Sequence, residues 1–204
     1  MDAERRTTMY LPAIMGKRDL SRVFSRELPK YFTADEVRLI LSEELRQKNY
    51  KAYFLCEFLW NTGLRVSEAL SVRVRDIDIR ARAMRVKTLK RKNHVRVLPL
   101  RPEFIGEVAV WINQFGLKRD DRLFRMNRQT AHYHVKLACE KAGIKDDRTH
   151  PHTLRHAFSI NCILQGVPVT VLKEWLGHRD ITKTLIYTNI LAHDTRAFME
   201  NVRF

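Results

Sequence analysis

The stretch KAYFLCEFLWNTG, residues 51–63, constrains the fold more than any other part of the sequence. From Ala52 to Trp60, apolar side chains cover nearly the whole circumference of a helix, and such a helix must be surrounded by protein. Gly63 is free to adopt the left-handed backbone conformation in which many helices end. The sequence therefore predicts a central buried helix that ends at Asn61-Thr62-Gly63.

Further helices and a few short strands surround this segment. Thr33 and Glu36 have the spacing of a capping box, which predicts that a helix begins at Thr33. Alternation of Val and Ile with charged residues is typical of strands, and it occurs near residues 72–79, 83–88 and 94–99. Helical spacing returns near residues 102–115, 128–142, 152–165, 168–176 and 180–188. We expect a mainly α protein with one small antiparallel β-sheet, which is an α+β fold.

The chain of 204 residues is long enough for one large domain and a small appendage. We expect this domain to span residues 31–192, after a basic arm or linker over residues 1–30. We expect residues 193–204 to form a separate C-terminal segment, in which Asp194–Val202 has the pattern of a short amphipathic helix.

Charge is the strongest bulk signal. The chain has 38 Lys and Arg residues against 23 Asp and Glu residues, a net charge of +15. Such an excess favours a polyanionic partner, most commonly nucleic acid, although a merely basic soluble protein has the same composition. No run of 18 apolar residues and no signal peptide are evident, so we expect no membrane association. Three scattered cysteines indicate a reducing compartment, and we expect a cytoplasmic protein.

The segment HPHTLRHAF, residues 150–158, concentrates cationic side chains at the predicted start of a helix. His152 and Arg155 are three residues apart and share one helical face. A guanidinium group beside an imidazole can bind two oxygens of a phosphate, and the first turn of a helix also favours an anion. The alternative is a solvated basic helix face.

Two other segments carry candidate site residues. In TGLRVSEAL, residues 62–70, Arg65 follows a glycine turn near the predicted core, and Glu68 is placed to orient its guanidinium group. A purely structural ion pair explains these two residues equally well. In WLGHRDITKTLIYTN, residues 175–189, His178 follows a glycine, and Tyr187 lies nine residues later, flanked by Thr184 and Thr188.

Taken together, these residues resemble the catalytic set of the tyrosine recombinases, the family of phage integrases and Xer-type recombinases. TGLRVSEAL, HPHTLRHAF and LGHRDITKTLIYTN are similar to the three signature boxes of that family, and ELPKYFTADEV is similar to the entry of its catalytic domain. The resemblance covers about residues 30–190. It implies a tyrosine recombinase catalytic domain over residues 31–192 and strand exchange on DNA.

The family also places a lysine on a β-hairpin between the first two boxes. Here that hairpin is residues 84–100, in which Lys87, Lys90 and Lys92 all compete for the role. Lys90 fits the family spacing best and Lys92 is the next candidate. Lysines in such a turn that only contact phosphates are the alternative.

The resemblance implies a role for each candidate. Tyr187 would attack phosphorus and stay attached to the DNA, while His152 takes the proton of the phenol. Arg65 and Arg155 would stabilise the charge on the non-bridging oxygens, to which His178 donates a further hydrogen bond. Lys90 would protonate the departing 5′-hydroxyl group. This chemistry needs no metal ion and no cofactor.

The remaining predictions concern partners. We expect double-stranded DNA with a specific target site, a homo-tetramer on DNA, a monomer when free, and association with the nucleoid. The C-terminal segment docks either on a neighbouring protomer or within its own chain. Two other functions stay open: DNA relaxation of the type IB topoisomerase kind, and a DNA-binding module without catalysis. Residues expected to contact DNA are Arg73, Arg75, Lys92, Arg128, Gln129 and His132, for some of which an ordinary solvated face is the alternative.

Overall fold

The computed structural model describes residues 28–88 and 95–193. Helices dominate this part of the chain, and a small sheet interrupts their order. The helices are α1 (Ala34–Ile40), α2 (Glu43–Lys48), α3 (Tyr50–Thr62), α4 (Val66–Ala69), α5 (Pro102–Gln114), α6 (Arg128–Lys141), α7 (Pro151–Leu164), α8 (Val169–Leu176) and α9 (Thr182–Leu185). Two stretches of 3₁₀-helix, Val74–Asp76 and Ile186–His193, complete the helical elements.

The sheet is antiparallel, with strands β1 (Ile77–Asp78), β2 (Ala83–Lys87) and β3 (Val95–Pro99) in that order. The prediction of a mainly α fold with one small antiparallel sheet is therefore confirmed. The strand predicted near residues 72–79 is wrong for most of its length. There the Asp76 carboxylate accepts a 2.9 Å hydrogen bond from the backbone N–H of Arg73 and stabilises a tight turn instead.

The central helix predicted from the sequence is α3. Its side chains Phe54, Leu55, Phe58 and Leu59 are fully enclosed, and it packs against α6 and α7. Gly63 ends it with a φ of +59°, and a Cβ atom there would lie 2.2 Å from the Phe158 ring. The end of α3 thus touches α7, which brings the first two sequence motifs together.

A second, smaller apolar cluster lies between α7, α8 and the segment Ile186–His193. It is formed by Ile160, Cys162, Ile163, Leu172, Leu176 and Tyr187. Leu164 does not belong to it: its side chain is on the solvent side of α7, 51% exposed.

Three predictions fall outside the described residues: the basic arm, the hairpin turn with Lys90 and Lys92, and the C-terminal helix at Asp194–Val202. Within residues 28–88 and 95–193, no helix combines the length and the apolarity needed to cross a bilayer.

Candidate active site

Arg65 lies immediately before α4, at the position from which its backbone N–H faces the first turn of that helix. This N–H donates to Glu68 Oε2 at 3.2 Å, and the guanidinium Nη1 lies 3.5 Å from Oε1 of the same carboxylate. The Arg65 side chain remains 34% exposed, whereas the Glu68 side chain is buried. The predicted pair therefore exists, with Arg65 open to solvent and Glu68 beneath it.

Glu68 also receives a second guanidinium group, from Arg96 on β3. Nη2 of Arg96 donates to Oε2 at 2.9 Å and Nη1 donates to Oε1 at 3.3 Å, with both side chains buried. Burial raises the pKa of the Glu68 carboxyl, but the hydrogen bonds and positive charge of Arg96 outweigh it and hold that pKa below its usual range. Glu68 is therefore a buried carboxylate at neutral pH.

Arg155 projects from α7, whose first turn begins at Pro151. Its side chain is almost fully enclosed, and Nη1 donates to the Gly63 carbonyl at 2.6 Å. Nη2 donates to the Leu176 carbonyl at 2.8 Å, so this one group joins the ends of α3 and α8. Burial and the positive charge of Arg65 lower the pKa of Arg155 to about 10, which leaves it protonated at neutral pH.

His178 follows Gly177, which ends α8 with a φ of +64°. Its Nε2 accepts a 3.0 Å hydrogen bond from Nη2 of Arg155, and its Nδ1 lies 2.9 Å from the Thr184 hydroxyl. Burial, followed by the charges of Arg155 and Arg65, lowers the pKa of His178 to about 3. The ring is thus neutral with its proton on Nδ1, since a guanidinium can only donate.

Tyr187 is 3% exposed and belongs to the smaller apolar cluster. Its hydroxyl group lies 2.9 Å from Nδ1 of His156. Burial raises the pKa of Tyr187, partly offset by the positive charge of Arg155. Burial also lowers the pKa of His156 to about 4, so its ring is neutral and its Nδ1 can accept the phenol proton in a hydrogen bond.

His152 lies one helical turn before His156, on the solvent side of α7. The two ring centroids are 6.4 Å apart. Partial burial lowers the pKa of His152, and the nearby charges of Arg155 and Arg65 act in the same direction. The imidazole of His152 is therefore neutral and open to solvent, and it lies beside Arg155, Arg65 and His156.

Of the six predicted catalytic residues, five come together here from four separate segments, while Lys90 lies outside the described residues. The sequence model of the phage integrase family matches residues 30–193. The chain belongs to the phage integrase family. The resemblance inferred from the three motifs is thus confirmed.

Tyrosine recombinase XerD of Haemophilus influenzae is 32% identical to this integrase-family chain over 185 residues, which cover 80% of the chain and 59% of XerD. The fold resembles the crystal structure of XerA recombinase, with a TM-score of 0.73 and 23% identity over 88% of this chain and 68% of XerA. It also resembles the XerH site-specific recombinase bound to its difH substrate before cleavage, with a TM-score of 0.68 and 20% identity over 85% of this chain and 54% of XerH. The chain spans 49% to 61% of the length of the curated relatives that it matches.

The residues predicted to contact DNA differ in their surroundings in this integrase-family chain. Arg73 donates to the Asp120 carbonyl, and Nη1 of Arg75 lies 2.5 Å from the Asp120 carboxylate, so both guanidinium groups also hold a loop. Arg128 and Gln129 are exposed at the start of α6, after the Asn127 cap.

His132 is half-buried on the next turn of α6. Burial lowers its pKa, and the charges of Arg128 and His150 lower it further. The start of α6 therefore lies beside the first turn of α7. The sixth residue predicted to contact DNA, Lys92, is outside the described residues.

Two residues of this cluster are missing from the set predicted by sequence: Arg96, which pairs with Glu68, and His156, which holds Tyr187. Arg96 lies in none of the motifs, whereas His156 belongs to HPHTLRHAF, and its position directly after Arg155 is a usable signal. In the described part of the chain, no group of three or more His, Cys, Asp or Glu side chains is arranged to hold a metal ion.

Proposed function

We propose that this chain cuts and rejoins DNA strands through a 3′-phosphotyrosine formed at Tyr187, as a tyrosine-type site-specific recombinase. The observation that carries this proposal is the surplus of positive charge around Glu68. Arg65, Arg96 and Arg155 lie 3.5, 2.9 and 4.0 Å from its carboxylate. In residues 28–88 and 95–193, the ion pairs of these three arginines all go to Glu68. Three cations and one anion leave two positive charges unpaired.

An unpaired charge away from water is costly, so this cluster favours an anion that enters from the open side. Arg65 is the exposed member and His152 borders it, which favours a position for the anion between them. A DNA phosphate has the required charge, and it gains more charge as an incoming oxygen attacks phosphorus. Fixed cations aimed at those oxygens stabilise the transition state more than the ground state.

The phenol of Tyr187 is the nucleophile of this proposal. Its oxygen bonds to phosphorus as the bond to the 5′-oxygen breaks, and the 5′-hydroxyl group leaves with a proton from Lys90. A phenol is a suitable carrier because the phosphotyrosine stays reactive toward a 5′-hydroxyl group of a second strand. His152 takes the phenol proton at the mouth of the site. No metal ion takes part.

The hydrogen bonds described above define a resting arrangement that DNA must change. Tyr187 has to leave His156 to reach a phosphate outside the apolar cluster. Nε2 of His178 has to give up the Arg155 hydrogen bond, and the ring proton has to move from Nδ1 to Nε2, before this nitrogen can donate to a phosphate oxygen. Binding of the phosphate by Arg155 supplies the reason for the second change, since Nη2 then has a stronger acceptor.

We propose that double-stranded DNA with a specific target lies across the start of α6, where Arg128 and Gln129 are exposed and His132 lies beside them. Arg73, Arg75 and Lys92 contact its backbone.

Four protomers assemble on DNA from free monomers, and residues 193–204 dock on a neighbour. The protein acts in the cytoplasm, at the nucleoid. The free buried thiols of Cys56, Cys139 and Cys162 support the first part, because they fit a reducing compartment.

The test uses a pool of duplex fragments, each of which carries a nick at a random position. Cleavage close to the nick releases a short end that diffuses away, so the covalent adduct stays trapped. The wild-type protein should trap a covalent adduct on a defined sequence, whereas Tyr187→Phe should trap none. Recovery of the trapped DNA gives the target. Adducts spread over all sequences, together with relaxation of a supercoiled plasmid, would identify a topoisomerase. DNA binding with no adduct from the wild type would leave a binding module and defeat the proposal.

A further inference from the structure

The role of Arg96 goes beyond a single ion pair. Its side chain on β3 is 4% exposed and touches three separate parts of the fold. It donates to both oxygens of Glu68 in α4, and Nε donates to the Trp175 carbonyl at the end of α8 at 2.9 Å. Nη1 also lies 3.3 Å from the hydroxyl of Thr88, just after β2.

Gly177 packs directly against this guanidinium group. A Cβ atom at Gly177 would lie 2.7 Å from Nη1 of Arg96 and 2.9 Å from its Cζ. The turn that carries His178 thus packs on Arg96. It comes this close to the guanidinium group because Gly177 has no side chain. Both ends of the catalytic cluster therefore rest on one planar cation, the Glu68 end and the His178 end.

We infer that Arg96 is a positioning residue for DNA cleavage: it fixes Glu68 and the His178 turn relative to each other, and so aligns Arg65, Arg155 and His178 with the scissile phosphate. This inference rests on the proposed recombinase function. Arg96 contacts Glu68 and the turn that carries His178, and it acts on the groups that hold the phosphate only through them. The fork of an arginine is needed, because its donors point in fixed directions in one plane, whereas a lysine ammonium is a point charge.

The alternative is a core ion pair that contributes stability alone. Truncating one partner of a buried pair strands the other charge, so Arg96→Met lowers stability under either view. Two variants separate the two views. Arg96→Lys keeps the charge without the fork, and Arg96→Met combined with Glu68→Gln removes the stranded charge. Arg38→Met on α1, which removes an exposed arginine, is the control.

The first measurement is the rate of adduct formation on the duplex recovered with the wild type. We expect Arg96→Lys and the double variant to be about 100-fold slower at saturating DNA, as small misplacements of catalytic groups allow. DNA affinity should stay within about threefold, and Arg38→Met should match the wild type. The double variant should regain thermal stability relative to Arg96→Met without regaining rate. Recovery of rate together with stability would show a structural pair and overturn the inference.

The second measurement repeats these rates with a methylphosphonate at the scissile position, which removes one charged non-bridging oxygen. Misplaced arginines matter less there, so the deficit of Arg96→Lys should shrink to about tenfold or less. An equal deficit on both substrates overturns the inference.

The third measurement needs no activity and therefore separates failure of this inference from failure of the proposed function. Long-range proton–nitrogen correlation spectra of free wild-type protein should show the His178 ring with its proton on Nδ1. The resonance is identified by its loss in His178→Asn. In Arg96→Lys the ring should populate both tautomers, because its partner Arg155 is displaced. A wild-type pattern in folded Arg96→Lys overturns the inference whatever the protein does to DNA.

Discussion

The hydroxyl group of Tyr187 is bonded to Nδ1 of His156 across 2.9 Å inside an apolar cluster. Burial raises the pKa of Tyr187 above its usual value, whereas it lowers the pKa of His156 to about 4. A base so much weaker than the phenolate holds the proton of a phenol in a hydrogen bond without removing it. His156 therefore holds Tyr187 in its protonated form, and in the proposed reaction the phenol proton has to leave by another route.

Because His156 does not remove the phenol proton, substitutions of His156 and His152, which lie on one helix, should have different effects. His156→Gln should leave the rate of adduct formation within about threefold of wild type, because holding the phenol in a hydrogen bond is not a chemical step. His152→Gln should slow it about 100- to 10,000-fold, the usual contribution of a general base. Single-turnover kinetics with the nicked duplex compare the two. Equal losses in both variants would place His156 in the chemistry.

Tyr187→Phe separates the chemical and structural roles of the phenol. The variant should form no adduct and should bind DNA as the wild type does. Loss of the hydrogen bond to His156 should lower the free energy of unfolding by about 1 kcal/mol. Denaturant unfolding measures this change, and Tyr133→Phe, at an exposed position of α6, is the control.

The stability of the fold should depend on pH through His178. Its pKa is lowered to about 3 in the folded protein, against the usual value of about 6.5 in the unfolded chain. The unfolded state then binds more protons below pH 6.5, so the stabilisation is complete above that pH and is lost as pH falls toward 3.

In urea unfolding from pH 6.5 to 4.5, the free energy of unfolding should fall more steeply for wild type than for His178→Asn. The difference in slope should be about 1.4 kcal/mol per pH unit, which corresponds to one proton. Equal slopes would mean that His178 titrates normally in the folded protein.

Gly177→Ala and Gly143→Ala form a matched pair. Both glycines end helices at positive φ, +64° and +78°, so both substitutions carry the backbone cost of about 1 kcal/mol. A Cβ atom at Gly143 meets open space, whereas one at Gly177 meets Arg96. Gly177→Ala should therefore be less stable than Gly143→Ala and should also cleave more slowly. Thermal unfolding and adduct assays test both, and indistinguishable variants would contradict the contact.

A change of the leaving group distinguishes the proposed roles of Lys90 and Lys92. A substrate with sulfur in place of the bridging 5′-oxygen departs as a thiolate and needs no proton. Lys90→Ala should be slow on ordinary DNA and close to wild type on the sulfur substrate, whereas Lys92→Ala should only weaken DNA binding. If Lys92→Ala is the variant rescued by sulfur, the two roles are exchanged.

The sequence predicts the helical parts of this molecule well, because apolar periodicity and glycine stops are local signals. It predicts the Arg65–Glu68 pair for the same reason, since three residues separate them at a helix start. Arg96 escapes prediction because it alternates with valines in a strand, where a charged residue is expected to face solvent. Its partner Glu68 is 28 residues away, and only the folded sheet brings them together.

The hydrogen bond between Tyr187 and His156 could not be predicted from the sequence, for a related reason. The motif HPHTLRHAF offers several histidines, and the one nearest the phenol is decided by the path of the segment after α9. Spacing along the chain does not encode that path. The strand near residues 72–79 fails because the Asp76 side chain competes with strand pairing for the backbone N–H of Arg73.

Tyr187 packs in the smaller cluster and not in the core around α3. A segment with its own limited set of contacts can detach at a fraction of the energy of global unfolding. In the proposed recombinase, the Tyr187 oxygen can thus leave this cluster and return to it while the core around α3 stays folded. Under the proposed function, each protomer bound to DNA then exposes or withdraws its Tyr187 hydroxyl group independently of how tightly that protomer holds the DNA.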